Sequence, residues 1–249
     1  MFSPNLRRIA LILLFCAAPI VVKATDWPEW RGPLVLRYGA QLKEVDTHLK
    51  KSPNSPLILS ERADLFLFLG AFPEAVADFE KVIALDPTKD AGNWRLGIAY
   101  YFAGEYAKAE LQFEKYHAYD GHDRENGIWK FLAQEKIDGV AKARAEMLTY
   151  TEFDREPFPA LYDMYAGKRT PDDVLAEMES KGLTKDPVVA FDGYYYTGLQ
   201  EALLGHRIRA IELLRKAVDL MPRPETVYMW NVARLHWERL IKEQAAATP

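Results

Sequence analysis

The sequence of 249 residues contains a single cysteine, Cys16, and no grouping of residues that is typical of a catalytic or metal centre. The five histidines occur without an HExxH pattern, no second cysteine is present to share a metal with them, and we expect all five on helix or loop surfaces. The 14 glycines are scattered rather than gathered in a phosphate-binding loop, and GxSxG is absent. These absences predict a protein that is not an enzyme and that uses no cofactor and no metal.

An excess of positive charge is also lacking, because 32 Lys and Arg residues stand against 36 Asp and Glu residues. Proteins that bind nucleic acid usually present a basic stripe to the phosphates, so a nucleic-acid partner is not expected. Beyond the first 24 residues no apolar run approaches the roughly 20 residues of a membrane-spanning helix. The N-terminus is therefore the one part of the sequence for which a membrane anchor stays an open alternative.

One short stretch, residues 119–125, combines acids with a histidine and so contains groups that can bind a divalent cation. Asp120 and Gly121 in this stretch stand 34 residues after Asp86 and Pro87. We therefore interpret the stretch as a solvated turn between two structural repeats rather than as a metal site.

The dominant positive feature is a register that repeats every 34 residues. Gly70 recurs as Gly104, Ala75 recurs as Ala109, and the same five-residue spacing returns far downstream. The further matches are Phe79 with Phe113, Ala63 with Gly97, Phe66 with Tyr100, and the downstream pair Gly205 and Ala210. A period of 34 residues is that of the tetratricopeptide repeat (TPR), which consists of two antiparallel helices. The register predicts an all-α fold, a right-handed superhelix of antiparallel helix pairs.

The register also divides the chain. It is clear in two repeats, is lost over about two periods, and returns in phase near Phe191. The predicted segments are a signal peptide (1–24), an N-terminal arm and helix (25–55), two TPR repeats (56–123), degenerate helical repeats (124–190), a further TPR repeat (191–224), and a capping helix and tail (225–249). The fold is thus expected to have irregular middle repeats and a C-terminal capping helix with polar flanks, which closes the open end of the array.

Local features of the sequence predict further details of the fold. Trp27 and Trp30 are expected to pack the N-terminal arm on the body of the protein, and Gly97 is expected to let two helices cross closely. In the irregular middle a helix is expected over residues 140–150, and Thr170 followed by Pro171 predicts the start of another helix.

The N-terminal segment has the features of an export signal. Arg7 and Arg8 precede an apolar run over residues 9–22, and small residues lead to Ala24 as the expected cleavage position. The predicted location of the remaining chain is the periplasm. Two alternatives stay open, which are an uncleaved anchor and lipidation at Cys16, the latter giving an outer-membrane lipoprotein.

Repeat positions that face the concave side of a TPR superhelix predict a peptide-binding groove. Arg95 is the one basic residue beside these positions, so a clamp for a terminal carboxylate is not expected, and an extended or helical protein segment fits better. The alternative is that Trp94 and Tyr101 simply pack in the core. The candidate groove residues are Asp64, Leu67, Trp94, Arg95, Tyr101 and Tyr195.

Three stretches together resemble a particular group of TPR proteins: residues 97–104 (GIAYYFAG), residues 128–136 (IWKFLAQEK) and residues 194–198 (YYYTG). Their order and spacing are similar to those of the NlpI family of Gram-negative bacteria. The resemblance implies a homodimeric envelope scaffold whose partners are cell-wall hydrolases and a periplasmic protease. The alternative is a TPR chaperone or an assembly factor for another envelope complex, since the groove of such a protein has the same features.

Overall fold

The computed structural model describes residues 27–220 and 227–247, and this part of the chain is helical throughout, with no strand. Its helices are α1 (Arg31–Lys51), α2 (Pro56–Leu69), α3 (Phe72–Leu85), α4 (Trp94–Ala103), α5 (Tyr106–Tyr119), α6 (Arg124–Asp138), α7 (Val140–Ala145), α8 (Phe158–Tyr165), α9 (Pro171–Ser180), α10 (Pro187–Leu203), α11 (Arg207–Asp219) and α12 (Tyr228–Ala247). The predicted all-α fold is confirmed. The predicted signal segment and Cys16 lie outside the described residues. None of the described helices combines the length and the apolar character that crossing a bilayer requires.

The periodic glycines end the first helix of each regular pair. Gly70, Gly104 and Gly205 have φ angles of 82°, 80° and 82°, a left-handed conformation that disfavours side chains. In each case the next amide donates a hydrogen bond back into the helix, as from Glu105 N to Tyr100 O at 2.9 Å. The 34-residue register is thus a register of identical helix ends, at the turns from α2 to α3, α4 to α5 and α10 to α11.

Gly97 allows the two helices of the second pair to cross closely, as the sequence predicts. A Cβ atom added at this position would lie 2.7 Å from the ring of Phe113 on α5. That ring is buried and stacks on Trp129 with 6.0 Å between centroids, so it has no room to retreat. The small residue is therefore required by packing and not by backbone conformation.

Gly97→Ala is expected to lower the free energy of unfolding by about 1–3 kcal/mol, because overpacking outweighs the better helix propensity of alanine. Gly39→Ala, in the interior of α1, is the matched control. Its added Cβ would have no atom within 4 Å, so only the better helix propensity of alanine acts there. Urea unfolding of both variants is the measurement. An equal loss in the two would contradict the account of Gly97.

The middle of the chain departs from the register and from one prediction. A helix predicted over residues 140–150 ends at Ala145, and beyond this end the carbonyl of Leu148 accepts a hydrogen bond from Tyr162 Oη at 2.7 Å. The predicted start of α9 is confirmed. Thr170 and Asp173 form a capping box, with Asp173 N donating to Thr170 Oγ1 at 3.2 Å.

Helix α12 packs on α11, where Trp230 Nε1 donates a hydrogen bond to Val218 O at 2.8 Å. Its role goes beyond capping the array. We expected polar flanks facing solvent, and this expectation is wrong for the first half of the helix. Nearly every side of that half is buried, and instead of stopping at the end of the array it crosses the inner faces of α2, α4, α6 and α10. The buried residues of α12 are Trp230, Asn231, Val232, Ala233, Arg234, Leu235, His236, Trp237, Glu238 and Ile241.

The N-terminal arm lies against the outer side of α12. Trp27 meets Trp237 edge-on with 6.2 Å between centroids, and Trp30 meets Trp230 at 5.3 Å. Packing of the arm through its two tryptophans is the arrangement that the sequence predicts. As a result, the first and the last described segments of the chain touch, and α12 is enclosed between the arm and the repeats.

Candidate protein-binding groove

The inner face of the repeats is a groove, and the middle of α12 fills it around His236. The ring of His236 lies 5.7 Å from Tyr101 of α4 and 5.9 Å from Trp129 of α6, between centroids. From α10, the hydroxyl of Tyr195 lies 2.9 Å from Nδ1 of His236. Burial, with nearby positive charges, lowers the pKa of His236 to about 3, so this histidine is neutral at physiological pH. Three helices thus meet one neutral, hydrogen-bonded imidazole.

The start of α12 contacts the other end of the groove through Tyr228. The ring of Tyr228 stands edge-on to Trp94 at 4.9 Å and to Phe68 at 5.2 Å. The guanidinium of Arg95 lies 5.1 Å from the centroid of the same ring, a cation–π distance. Arg95 also pairs with Asp64, with 2.8 Å between Nη1 and Oδ2. Aromatic rings and one ion pair therefore form the wall that receives Tyr228.

The structure places the six predicted groove residues in three groups. Asp64, Trp94 and Arg95 come together at Tyr228, Tyr101 and Tyr195 come together at His236, and Leu67 is fully buried in α2. The two alternatives for Trp94 and Tyr101 therefore hold at once, since both line the groove and both pack there against α12. Their contact with a partner protein stays a prediction.

Sequence reasoning missed the residues of α12 that occupy the groove. The expectation that every histidine lies on the surface is wrong for His236, which is 6% exposed. A signal was available, because Trp230 and Trp237 lie on one side of the helix and Val232 and Leu235 lie on the other, so that large apolar residues occupy both sides. A helix with that pattern is buried.

The inner end of α12 also carries a buried charge pair. Arg234 is 1% exposed, donates to Glu238 at 2.8 Å, and donates through Nη2 to the carbonyl of Phe68 at 2.5 Å. Glu238 accepts two further hydrogen bonds from Arg31, at 2.9 and 3.0 Å. Although burial alone would raise the pKa of Glu238, these bonds and the charge of Arg234 hold it below its ordinary value. The carboxylate is thus ionised and ties α12 to α1.

The fit between α12 and the groove is incomplete. Four of its buried polar atoms have no hydrogen-bond partner within the described residues: Tyr228 Oη, Arg234 Nε, His236 Nε2 and Trp237 Nε1. Two cavities flank its C-terminal half, one of about 590 Å³ toward α1, α2 and α4, and one of about 370 Å³ toward α4, α6 and α10. Helical seams in protein cores are usually packed without such gaps and with their polar atoms paired.

Burial raises the pKa of several acidic side chains beside the groove. Desolvation outweighs the attraction of Arg95 and raises the pKa of Asp64 to about 7. Burial, together with the charge of Asp123, raises the pKa of Glu125 to about 7, and the pKa of the nearby Asp192 also lies well above its ordinary value. Asp64 and Glu125 are therefore partly protonated near neutral pH, unlike the same groups in an unfolded chain.

Asp64→Asn is expected to gain stability over the wild-type chain as pH rises. A carboxyl whose pKa is raised by folding stabilises the folded state below its unfolded value of 3.8, and that stability is lost as pH rises toward 7. The difference in unfolding free energy between variant and wild type should therefore move by a few kcal/mol in favour of the variant between pH 4 and pH 8. Urea titrations across this range are the measurement, and a flat difference would contradict the raised pKa.

The cluster over residues 119–125 has a structural explanation. Asp120 accepts the amide of His122 at 3.0 Å within the turn, and Asp123 caps α6 by accepting the amide of Glu125 at 3.0 Å. Across residues 27–220 and 227–247, no group of three or more His, Cys, Asp or Glu side chains is arranged to hold a metal ion. The acids here are used by the turn and by the helix start.

Comparison with known proteins supports the assignment of the repeats. No family model matches the chain. It is 34% identical over 106 residues to an Hsp70-Hsp90 organizing protein of Triticum aestivum, which covers 43% of this chain and 16% of the relative. Organizing protein 3 of Arabidopsis thaliana is 33% identical over 121 residues (49% and 20%), and its organizing protein 2 is 29% identical over 153 residues (61% and 24%). The chain is a TPR-type helical-repeat protein.

The matched regions span about a quarter or less of the length of these relatives. Their names describe them as organizing proteins for Hsp70 and Hsp90, and that description belongs to the relatives as whole proteins. For this chain the matches support the helical-repeat fold. They do not support the resemblance to the NlpI family or a place in the bacterial envelope.

Proposed function

We propose that this TPR protein is a non-catalytic adaptor of the chaperone or assembly-factor type, which recognises a helical segment of another protein. The observation that carries the proposal is the seating of α12, because it demonstrates that the inner groove accepts a helix. The groove contacts Tyr228 and His236 of that helix through aromatic rings. It also accepts a hydrogen bond from the helix at the carbonyl of Phe68. Grooves that receive an amphipathic helix are a common mode of protein recognition.

A finer proposal places the adaptor in the bacterial periplasm or on the outer membrane, with cell-wall hydrolases or a protease as partners. It rests on the export-like residues 1–24 and on the three stretches that resemble the NlpI family. The most distinctive of these stretches is buried, since Trp129, Phe131 and Leu132 are at most 2% exposed. The resemblance in this stretch therefore reflects how the helices pack and not which partner is bound. For this reason the chaperone-type function is favoured.

Affinity capture with the full tagged chain, followed by mass spectrometry, tests the proposed function. The matched variants are Arg95→Glu, at the wall of the groove, and Lys89→Glu, on the turn after α3, which make the same change of charge. We expect folding factors or subunits of one assembly to be captured, and to be lost at least tenfold with Arg95→Glu only. Recovery of murein hydrolases would instead favour the envelope scaffold.

Circular dichroism of the two variants keeps this result interpretable, because both should retain the helicity of the wild-type chain. Capture of no protein above the level of a tag-only control would contradict the adaptor function. Equal loss with the two charge reversals would show that binding uses another surface.

A further inference from the structure

We propose that α12 is an intramolecular occupant of the groove, held in place by the N-terminal arm, and that a partner binds by inserting an amphipathic helix in its place. This inference rests on the proposed function and names the partner class for the same groove. The partner helix resembles α12 in chemistry: it offers aromatic rings to the groove and a buried guanidinium or ammonium group to the Phe68 carbonyl.

The incomplete fit of α12 is the first observation behind the inference. Buried donors without acceptors destabilise a packed seam, and four buried polar atoms along this one helix have no partner within the described residues. The cavities on either side of its C-terminal half add apolar surface, including the stacked rings of Phe72 and Phe102, that α12 leaves uncovered. A helix of the same kind with bulkier or better-paired side chains can fill that space and satisfy those groups.

The second observation is that α12 is held from outside by a small number of contacts. Three residues of the arm form a latch, namely Trp27, Trp30 and Arg31. The two tryptophans are half-buried, and the Arg31 side chain is 28% exposed, so the latch lies at the surface. Opening it uncovers Trp230, Trp237 and Glu238 without disturbing the walls of the groove.

The third observation defines the chemistry of the incoming helix. The groove offers an acceptor at the Phe68 carbonyl, and its aromatic edges come from Trp94 and Tyr101. In α12 these three groups are contacted by Arg234, Tyr228 and His236, respectively. A partner helix with aromatic residues about two turns apart and a cation between them fits the same wall.

The first test uses a fluorescein-labelled synthetic peptide of residues 228–247 as the probe and the full chain as the receptor. We expect weak binding to the wild-type chain, because its own α12 competes at high effective concentration. Arg31→Ala should bind the peptide at least tenfold more tightly, since the variant opens the latch. Lys43→Ala, an exposed change on the same helix, should bind as the wild type does. Equal affinities of the three chains for the peptide would contradict the proposed role of the latch.

The second test locks α12 in place. Phe68→Cys and Tyr228→Cys are introduced with Cys16→Ser and joined by a short cleavable thiol cross-linker, since the two native rings are 5.2 Å apart. The locked chain should lose peptide binding at least tenfold and regain it when the linker is cleaved, with unchanged helicity. Undiminished binding by the locked chain would overturn the displacement of α12.

Three further outcomes separate this inference from the proposed function and from self-association. Capture of the same partner by the locked and the unlocked chain would agree with an adaptor function and contradict the displacement of α12. Reversible dimers of Arg31→Ala that exclude the peptide, measured by analytical ultracentrifugation, would show exchange of α12 between copies and overturn a foreign helix as the occupant. Loss of all partner capture by the unlocked chain would contradict the proposed function itself.

Discussion

Arg234→Ala is expected to lower the free energy of unfolding by about 3–5 kcal/mol, the range typical when one partner of a buried ion pair is removed. Arg234 is 1% exposed and supplies hydrogen bonds both to Glu238 and to the carbonyl of Phe68. Its loss leaves that carbonyl without its donor and leaves Glu238 with Arg31 alone. The effect is large because Glu238 and Phe68 are at most 9% exposed, so loss of the guanidinium leaves buried acceptors short of a donor.

Arg239→Ala is the matched control for this prediction. Arg239 lies on the same helix, its side chain is 47% exposed, and it pairs with Glu243 four residues away at 2.9 Å. Exposed pairs of this kind contribute less than about 1 kcal/mol. Urea unfolding monitored by circular dichroism compares the two variants. Similar losses would mean that the buried pair of Arg234 contributes no more than a surface pair.

Trp129→Ala is expected to destabilise the chain by a similar amount, about 3–5 kcal/mol. The indole is 2% exposed and lies where three elements meet, within 5.4 Å of Tyr101 and 5.9 Å of His236 between ring centroids. Its Nε1 donates to the hydroxyl of Tyr196 at 3.1 Å, so the substitution removes a donor as well as a large apolar volume. The resulting cavity would join the core of the repeats to the groove.

Trp94→Ala provides the comparison, since Trp94 is a tryptophan of the same groove that is only partly buried. It should cost roughly 1–2 kcal/mol, because water reaches the space that it leaves. Thermal unfolding of both variants, with helicity recorded at 25 °C, is the measurement. A greater loss for Trp94→Ala would show that the entrance of the groove, and not the Trp129 junction, holds α12.

Local features of the fold were predictable from the sequence. The glycines that end helices do so because of their own backbone conformation, and Gly97 is small because a fixed residue sixteen positions later, Phe113, packs on it. Both facts repeat with the 34-residue period. The capping box at Thr170 is equally local. Such features depend on residues within one helix pair, which a periodic pattern encodes.

The occupant of the groove was not predictable in the same way. Repeat positions show which side of a helix faces inward, and they placed Trp94, Tyr101 and Tyr195 on that side. They carry no information about what fills the space. That depends on contacts between α12 and helices more than 100 residues earlier, such as the hydrogen bond from Arg234 to Phe68 across 166 positions. The early end of α7 was also missed, and beyond it the Leu148 carbonyl accepts a hydrogen bond from Tyr162 of another helix.

The contact between Arg31 and Glu238 has a consequence for how the chain folds. These residues are 207 positions apart, and α12 joins the first regular repeat to the last. Open repeat arrays fold by adding neighbours, and their helical pairs make mostly local contacts. Here the inner core stays incomplete until α12, which follows all of the repeats in the sequence, is in place. We therefore expect slower and more cooperative folding than in an open array of equal length, with the aromatic inner faces of the early helices exposed until α12 has docked.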